Sequence, residues 1–196
     1  MKKYLIELLG AFLLTLVVGL SLASDFPVST PVLAALTLGL FVYTAGHISG
    51  AHINPAVTIG VWSMRKISLK DAVMYIVAQL IGAALAMVVA RHLATPATMV
   101  IENSWQVGFA EFLGTLFFTF GIAAVVLGKV PVDVQGVTIG GSLLLGLSLA
   151  AIHSNAVLNP AVAFGIGSFS WGYALAPIAG AVMGMNVFKW LAGDKN

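Results

Sequence analysis

The stretch His52-Ile53-Asn54-Pro55-Ala56-Val57 decides the fold, and Val157-Leu158-Asn159-Pro160-Ala161-Val162 repeats it in the second half of the chain. In each copy an Asn precedes a Pro, which favours a helix start. The Asn side chain caps free backbone N–H groups, and Pro at the first helical position loses nothing by lacking its own. A short apolar run follows, over residues 56–64 and 161–166. Helices of roughly 15–16 Å cross about half of a ~30 Å hydrocarbon core, so the repeated motif predicts two half-helices that together span a membrane.

The composition indicates an all-α membrane protein. Of 196 residues, 60% are hydrophobic and 8% are charged, and the mean hydropathy is +1.03. A soluble domain of this size cannot bury so much apolar surface. The net charge of +2 is too small to suggest nucleic acid as a partner. There is no Cys, and no Ser/His/Asp or metal-ligand cluster can be recognised, so we expect no enzyme activity, cofactor or metal.

The apolar stretches divide the chain into six membrane spans within a single membrane domain, residues 1–196. A glycine-rich segment, residues 46–52, follows the second span and is predicted to be non-helical. A polar crossing, residues 94–105, separates the two halves. The predicted spans cover residues 4–23, 31–45, 71–93, 106–127, 134–152 and 171–191.

The basic residues predict the orientation in the cell membrane. With six spans, the segments on one side of the membrane carry a single basic residue, Arg91. The segments on the other side carry Lys2, Lys3, Arg65, Lys66, Lys70, Lys129, Lys189 and Lys195. Because positive charge accumulates on the cytoplasmic side, we expect both termini to be cytoplasmic.

The two halves repeat each other. Glu7-Leu8-Leu9-Gly10 corresponds to Glu111-Phe112-Leu113-Gly114, with an offset of 111 − 7 = 104, and the two Asn-Pro-Ala motifs have an offset of 159 − 54 = 105. Three spans per repeat is an odd number, so we expect inverted repeats, residues 1–94 and 105–196. Interrupted helices that meet at the midplane of inverted repeats are typical of proteins that move solutes. Irregular backbone at that depth is tolerated where it lines a wet cavity.

Several motifs spread over nearly the whole chain belong together. They are Glu7-x-x-Gly10, residues 46–58, Gln79-Leu80-Ile81-Gly82-Ala83, Glu111-x-x-Gly114-Thr115 and Asn159-Pro160-Ala161. Through these motifs the chain resembles bacterial members of the aquaporin, or major intrinsic protein, family. The resemblance implies the aquaporin fold, a homotetramer with one pore per subunit, and passive permeation of water or small uncharged solutes of glycerol or urea size. The implied pore residues are Asn54, Pro55, Ala56, Asn159, Pro160 and Ala161, with the carbonyls of Gly50, Ala51, His52 and Ile53 beside them.

Glu7 and Glu111 lie inside predicted spans, where a charge costs roughly 2.5–3.5 kcal/mol or more. Each is therefore either a proton relay, as in a pump, or an acceptor for the N–H groups of a re-entrant loop. The resemblance implies the second role. His47 likewise has one structural and one functional interpretation: it is either a packed residue that supports the loop or a gate.

The chain departs from the family at its outer filter, where the resemblance would place an Arg, a large aromatic and a His. Val162 stands at the Arg position, Ala34 at the second-span position and Ala156 in the loop. The fifth-span position falls on His153 or on Leu147, depending on the alignment of the short loop. We therefore expect the outer end of the pore to be wide and lined by apolar side chains.

Two other classes of function stay open. A secondary transporter would use Glu7 and Glu111 as coupling sites. A non-conducting structural member would lack flux altogether. The expected partners are water, small neutral solutes and membrane lipid.

Overall fold

The computed structural model describes residues 1–194, so Lys195 from the charge pattern lies outside the described residues. Within this part of the chain the regular structure is helical, with one 3₁₀ turn, Val132–Val134, and no strand. The helices are α1 (Lys2–Ala23), α2 (Thr30–Ser49), α3 (Pro55–Ser63), α4 (Leu69–Leu93), α5 (Trp105–Val126), α6 (Gln135–Ala150), α7 (Pro160–Gly165) and α8 (Trp171–Leu191). Six helices, all but α3 and α7, are long and apolar enough to cross a membrane, α6 together with the 3₁₀ turn before it. The predicted all-α membrane fold is confirmed.

The half-helices α3 and α7 begin at the two Asn-Pro motifs. Asn54 Oδ1 accepts a hydrogen bond from the Ala56 N–H at 2.8 Å, and Asn159 Oδ1 accepts one from the Ala161 N–H at 3.0 Å. Helix α7 has six residues and ends before the predicted run does. It stops there because Gly167 takes a left-handed conformation, φ 78°, which a glycine adopts without steric cost.

The prediction that residues 46–49 are non-helical is wrong, because α2 continues to Ser49. The Gly50 N–H still bonds to the Gly46 carbonyl at 2.8 Å, and the helix ends only where Gly50 turns to φ 90°. The Tyr75 hydroxyl of α4 donates to the Ser49 carbonyl at 2.8 Å. Contacts between helices thus outweigh the weak intrinsic cost of Gly46 in a helix.

The half-helices lock the two halves of the chain together. Helix α1 packs on α2 and α4, and α5 packs on α6 and α8, so each half forms its own group of helices. The half-helix α3 of the first group packs against α8 of the second, and α7 packs against α4 of the first. The non-helical backbone that precedes α3 and α7 is therefore enclosed by both groups.

Close helix approach in the core depends on glycine pairs. Gly114 of α5 and Gly146 of α6 face each other, and a Cβ on either one would lie 2.5 Å from the carbonyl oxygen of the other. Backbone cannot move aside as a side chain can. Small residues that let backbones touch are the usual way in which membrane helices associate.

We expect Gly146→Ala to destabilise the protein strongly, since an overpacked core costs about 1–3 kcal/mol. The matched control is Gly141→Ala in the same helix, where a Cβ would meet nothing within 4 Å. Thermal unfolding in detergent should show a lower melting temperature for the first variant only. Equal melting temperatures would contradict this account of the α5–α6 contact.

Candidate functional site

Two short non-helical segments, residues 50–54 and 155–159, lead into the half-helices and have the same unusual backbone. Ala51 and Ile53 have φ values of 49° and 39°, and Ala156 and Leu158 have 49° and 52°. Left-handed conformation at alternate residues is strained for non-glycine side chains. Such strain persists only where the surrounding structure holds the backbone firmly.

The carboxylate of Glu7 in α1 holds the first segment. Its Oε1 accepts from the Ser49 hydroxyl at 2.6 Å and from the His52 N–H at 3.0 Å. Its Oε2 accepts from the Ile53 N–H at 2.6 Å and from Gln79 Nε2 at 2.8 Å. Glu7 is fully buried, and all four partners are donors, so both oxygens act as acceptors.

Glu111 in α5 makes the same arrangement in the second half. Its Oε1 accepts from the Ser154 hydroxyl at 2.7 Å and from the Val157 N–H at 3.0 Å, and its Oε2 accepts from the Leu158 N–H at 2.8 Å. Glu111 is also fully buried. Each glutamate thus satisfies two backbone N–H groups that have no helical partner, which is the need that a non-helical segment creates in a membrane.

The direction of these N–H groups fixes the direction of the carbonyl groups. In a trans peptide the C=O points opposite to the N–H of the same plane. Since the N–H groups of His52 and Ile53 point at Glu7, the carbonyls of Ala51 and His52 point away from it. In the second segment, the carbonyls of Ala156 and Val157 point away from Glu111 for the same reason. In both segments, backbone carbonyl oxygens therefore face the side opposite the glutamate.

The two Asn side chains connect the halves directly. Asn54 Nδ2 donates to the Leu158 carbonyl at 2.9 Å, and Asn159 Nδ2 donates to the Ile53 carbonyl at 3.0 Å. The Oδ1 atom of each Asn is occupied by its helix cap, so each amide has one further N–H to offer as a donor. Both Asn residues line the same cavity.

This first cavity has a volume of about 240 Å³. Ala34, Ala156, Val162 and Leu147 all line it, whereas His153 does not. No charged side chain lines it within residues 1–194. Side chains of the long helices and of the first non-helical segment also line it, among them Leu14, Val18, Leu38, Phe118, Leu143 and His52.

A second cavity, of about 370 Å³, continues beyond His52. Leu38 and His52 line both cavities, so these two side chains lie between them. The His52 ring is fixed by Thr58, whose Oγ1 lies 3.2 Å from His52 Nδ1, and by the edge of the Tyr75 ring, 5.2 Å between centroids. The His52 ring between the two cavities is thus held by contacts on both α3 and α4.

His153 lies outside the first cavity, whereas His47 lines the second cavity. His153 is exposed and lines a separate recess with Glu102. His47 lies in the last turn of α2 with an exposed side chain, and among the described hydrogen bonds the loop is held by Glu7 and Ser49 rather than by His47.

The sequence analysis missed most of the apolar lining. Leu14 and Phe118, and likewise Leu38 and Leu143, are separated by 104 and 105 positions, the same offsets as the motifs. That offset was the signal that could have identified them.

Known proteins resemble this chain over most of its length. The family model described as Major intrinsic protein matches residues 1–188. Aquaporin NIP1-1 from Arabidopsis thaliana is 31% identical over an alignment of 216 positions, which covers 96% of this chain and 73% of that protein. Aquaporin AqpM from Methanothermobacter thermautotrophicus is 32% identical over 177 residues, 78% of this chain and 72% of that protein.

A solved structure, the aquaglyceroporin from Plasmodium falciparum, has a similar fold with a TM-score of 0.70. The similarity covers 98% of this chain and 95% of that one, at 21% sequence identity. It bears on the fold alone.

We expect Glu111→Gln to lower the melting temperature and the yield of folded protein. The amide has one acceptor oxygen where the carboxylate has two, so the N–H of Val157 or of Leu158 would stay unpaired, at about 1–3 kcal/mol. The control is Glu102→Gln, an exposed glutamate outside the helices. For both variants, size-exclusion chromatography measures the yield of folded protein and thermal unfolding measures the melting temperature. A stable Glu111→Gln protein would contradict the supporting role.

Proposed function

This chain belongs to the major intrinsic protein family, and we propose that neutral solutes of glycerol size pass through it together with water. As a member of this family, the protein is a passive membrane channel for water and small solutes and not an enzyme. The family resemblance found in the sequence is thereby confirmed. The solute class and the residues that form the pore are the proposed part.

The observation that supports this proposal most is the lining of the first cavity. Ala34, Ala156 and Val162 are small side chains, and the described lining carries no Arg to narrow the lumen or to offer a fork of donors. A lumen with such a mouth should admit solutes larger than water.

The two Asn residues would orient a solute at the centre of the pore. Each offers an amide N–H, while the cap occupies its oxygen. A water bound to both donors must present its oxygen, so its own protons point away and cannot continue a hydrogen-bonded chain. Since α3 and α7 both begin here, the helix ends add partial positive charge that repels cations.

The oligomeric state and the setting in the cell follow from the family and the charge pattern. We infer a homotetramer with one pore per subunit, placed in the cell membrane with both termini in the cytoplasm. The contact of Lys189 Nζ with the Met64 carbonyl at 3.3 Å puts the ends of α3 and α8 on one side. This side carries most of the lysines, which supports the proposed orientation.

Proteoliposomes should show water and glycerol fluxes well above those of protein-free vesicles in stopped-flow light scattering. The fluxes should not respond to an imposed pH gradient, because a passive pore has no coupling ion. Fast water flux with glycerol excluded would overturn the proposed solute class. Flux that depends on the pH gradient would point instead to coupled transport.

Val162→Arg should reduce glycerol flux at least about tenfold and water flux less, because the long cation fills the mouth. A unit charge about 4 Å from a passing cation costs it about 4 kcal/mol at an effective dielectric of 20, so any cation leak should also fall. The comparison variant is Val162→Met, which adds length without charge. It should reduce glycerol flux and leave a cation leak in place.

The folding of both variants is checked first by size exclusion, since an unpaired buried Arg costs several kcal/mol. Unchanged glycerol flux in a folded Val162→Arg protein would place Val162 outside the constriction.

A further inference from the structure

We propose that an acidic phospholipid binds in a groove between α1 and α4, with one acyl chain in the groove and its phosphate near Lys2 and Lys70. The groove lies on the surface of the helix bundle and shares no lining residue with the two cavities described above. Its occupancy therefore does not depend on which solute the channel carries.

The groove has a volume of about 450 Å³, and its lining is mainly apolar. Leu5 and Leu8 of α1 and Met74, Val77 and Ile81 of α4 form most of it. All of these except Leu8 are between 40% and 56% exposed. Because α1 and α4 are both long and apolar enough to cross a membrane, a surface of this kind suits hydrocarbon and not water.

The groove is about as deep as one leaflet of a bilayer. At its deep end, next to Ile81, the backbones of α1 and α4 touch, since a Cβ on Gly82 would clash with the Leu8 carbonyl oxygen. From Lys70 at the other end to Ile81, α4 rises about 16 Å. That is roughly half of a ~30 Å hydrocarbon core. The groove therefore has the length that an acyl chain of a single leaflet requires.

Basic side chains stand at the open end of the groove. Lys2 lines it, and Lys70 precedes Met74 by four positions, so these two residues share one face of α4. Lys3 is nearby, but Asp71 neutralises it, with 2.8 Å between Lys3 Nζ and Asp71 Oδ1. Among residues 1–194, no carboxylate forms an ion pair with Lys2 or Lys70. Two positive charges therefore remain at the level of the lipid headgroups.

An acidic phospholipid matches both the chain-length groove and the charge at its end. Basic residues at the membrane surface attract anionic lipids, by about fivefold in affinity for each Lys. A zwitterionic lipid can place its chain in the same groove, but it carries a cation beside its phosphate and gains little from the lysines. Free phosphate has the charge and no chain, and exposed lysines hold such an ion weakly.

Native mass spectrometry of the full chain in detergent counts the lipids that stay bound. Phosphatidylglycerol and phosphatidylcholine with identical acyl chains are titrated separately. We expect phosphatidylglycerol to bind at least about tenfold more tightly, because two lysines contribute. Glycerophosphate, which has the acidic group without the chains, should not bind at the same concentrations.

Lys2→Gln and Lys70→Gln should each weaken phosphatidylglycerol binding about fivefold and leave phosphatidylcholine binding unchanged. The matched control is Lys129→Gln in the connection between α5 and α6. It removes one positive charge from the same side of the membrane in the proposed orientation, away from the groove. It should bind both lipids as the wild type does.

Val77→Trp should fill the groove and weaken the binding of both lipids. Its control is Val73→Trp in the same helix, where the side chain is 50% exposed and outside the groove lining. Size exclusion shows whether either variant changes the oligomeric state. Since both positions are exposed, we expect both variants to fold.

Equal affinity for the two lipids would overturn the proposal, and so would a loss in Lys129→Gln as large as in the groove variants, since either result describes general attraction to a basic surface. Unchanged phosphatidylglycerol binding in Val77→Trp would also overturn it. If that variant dissociates the oligomer as well, a second copy of the chain covers the groove instead of a lipid. Stopped-flow water flux, measured separately, shows that the channel function survives any of these outcomes.

Discussion

The structure depends on one constraint, that non-helical backbone inside a membrane must have its hydrogen-bonding groups satisfied. Glu7 and Glu111 meet that need by accepting the N–H groups of both segments. The same bonds turn the carbonyls of those peptides away from the glutamates. Irregular backbone at membrane depth is tolerated where it lines a water-filled cavity, so support of the segments and a wet cavity beside them are compatible demands. A buried carboxylate that accepts from every neighbour is well placed for this work and poorly placed to relay protons, which disfavours the transporter interpretation.

The two halves of the chain satisfy hydrogen-bonding groups of each other. Asn54 bonds to the Leu158 carbonyl and Asn159 to the Ile53 carbonyl, so each half satisfies a group of the other. Each half-helix also packs against a long helix of the other half, α3 against α8 and α7 against α4. Because an unpaired amide at this depth is costly, we expect the two halves to fold as one cooperative unit.

The first cavity has a largely apolar side-chain wall, and Ala34 and Val162 are among its lining residues. The amides of Asn54 and Asn159 also line it, at the starts of the two half-helices. The helix ends add partial positive charge at this place. The proposed solute class therefore rests on the small size of the lining side chains and not on a charged filter.

The sequence by itself determined the membrane class, the six spans, the two half-helices and the family, because hydropathy, cap chemistry and paired motifs are local or periodic signals. It also singled out Glu7 and Glu111 as residues that need partners. The sequence could not show that α2 continues to Ser49, since the weak helix propensity of Gly46 is outweighed by tertiary contacts such as the hydrogen bond from Tyr75 of α4 to the Ser49 carbonyl. It left His153 and Leu147 undecided, because a short loop has no periodicity to fix its register. Only the packing of α6 against α2 and α5 turns Leu143 and Leu147 towards the first cavity and leaves His153 outside it. That packing depends on close backbone contacts between glycines that are distant in the sequence.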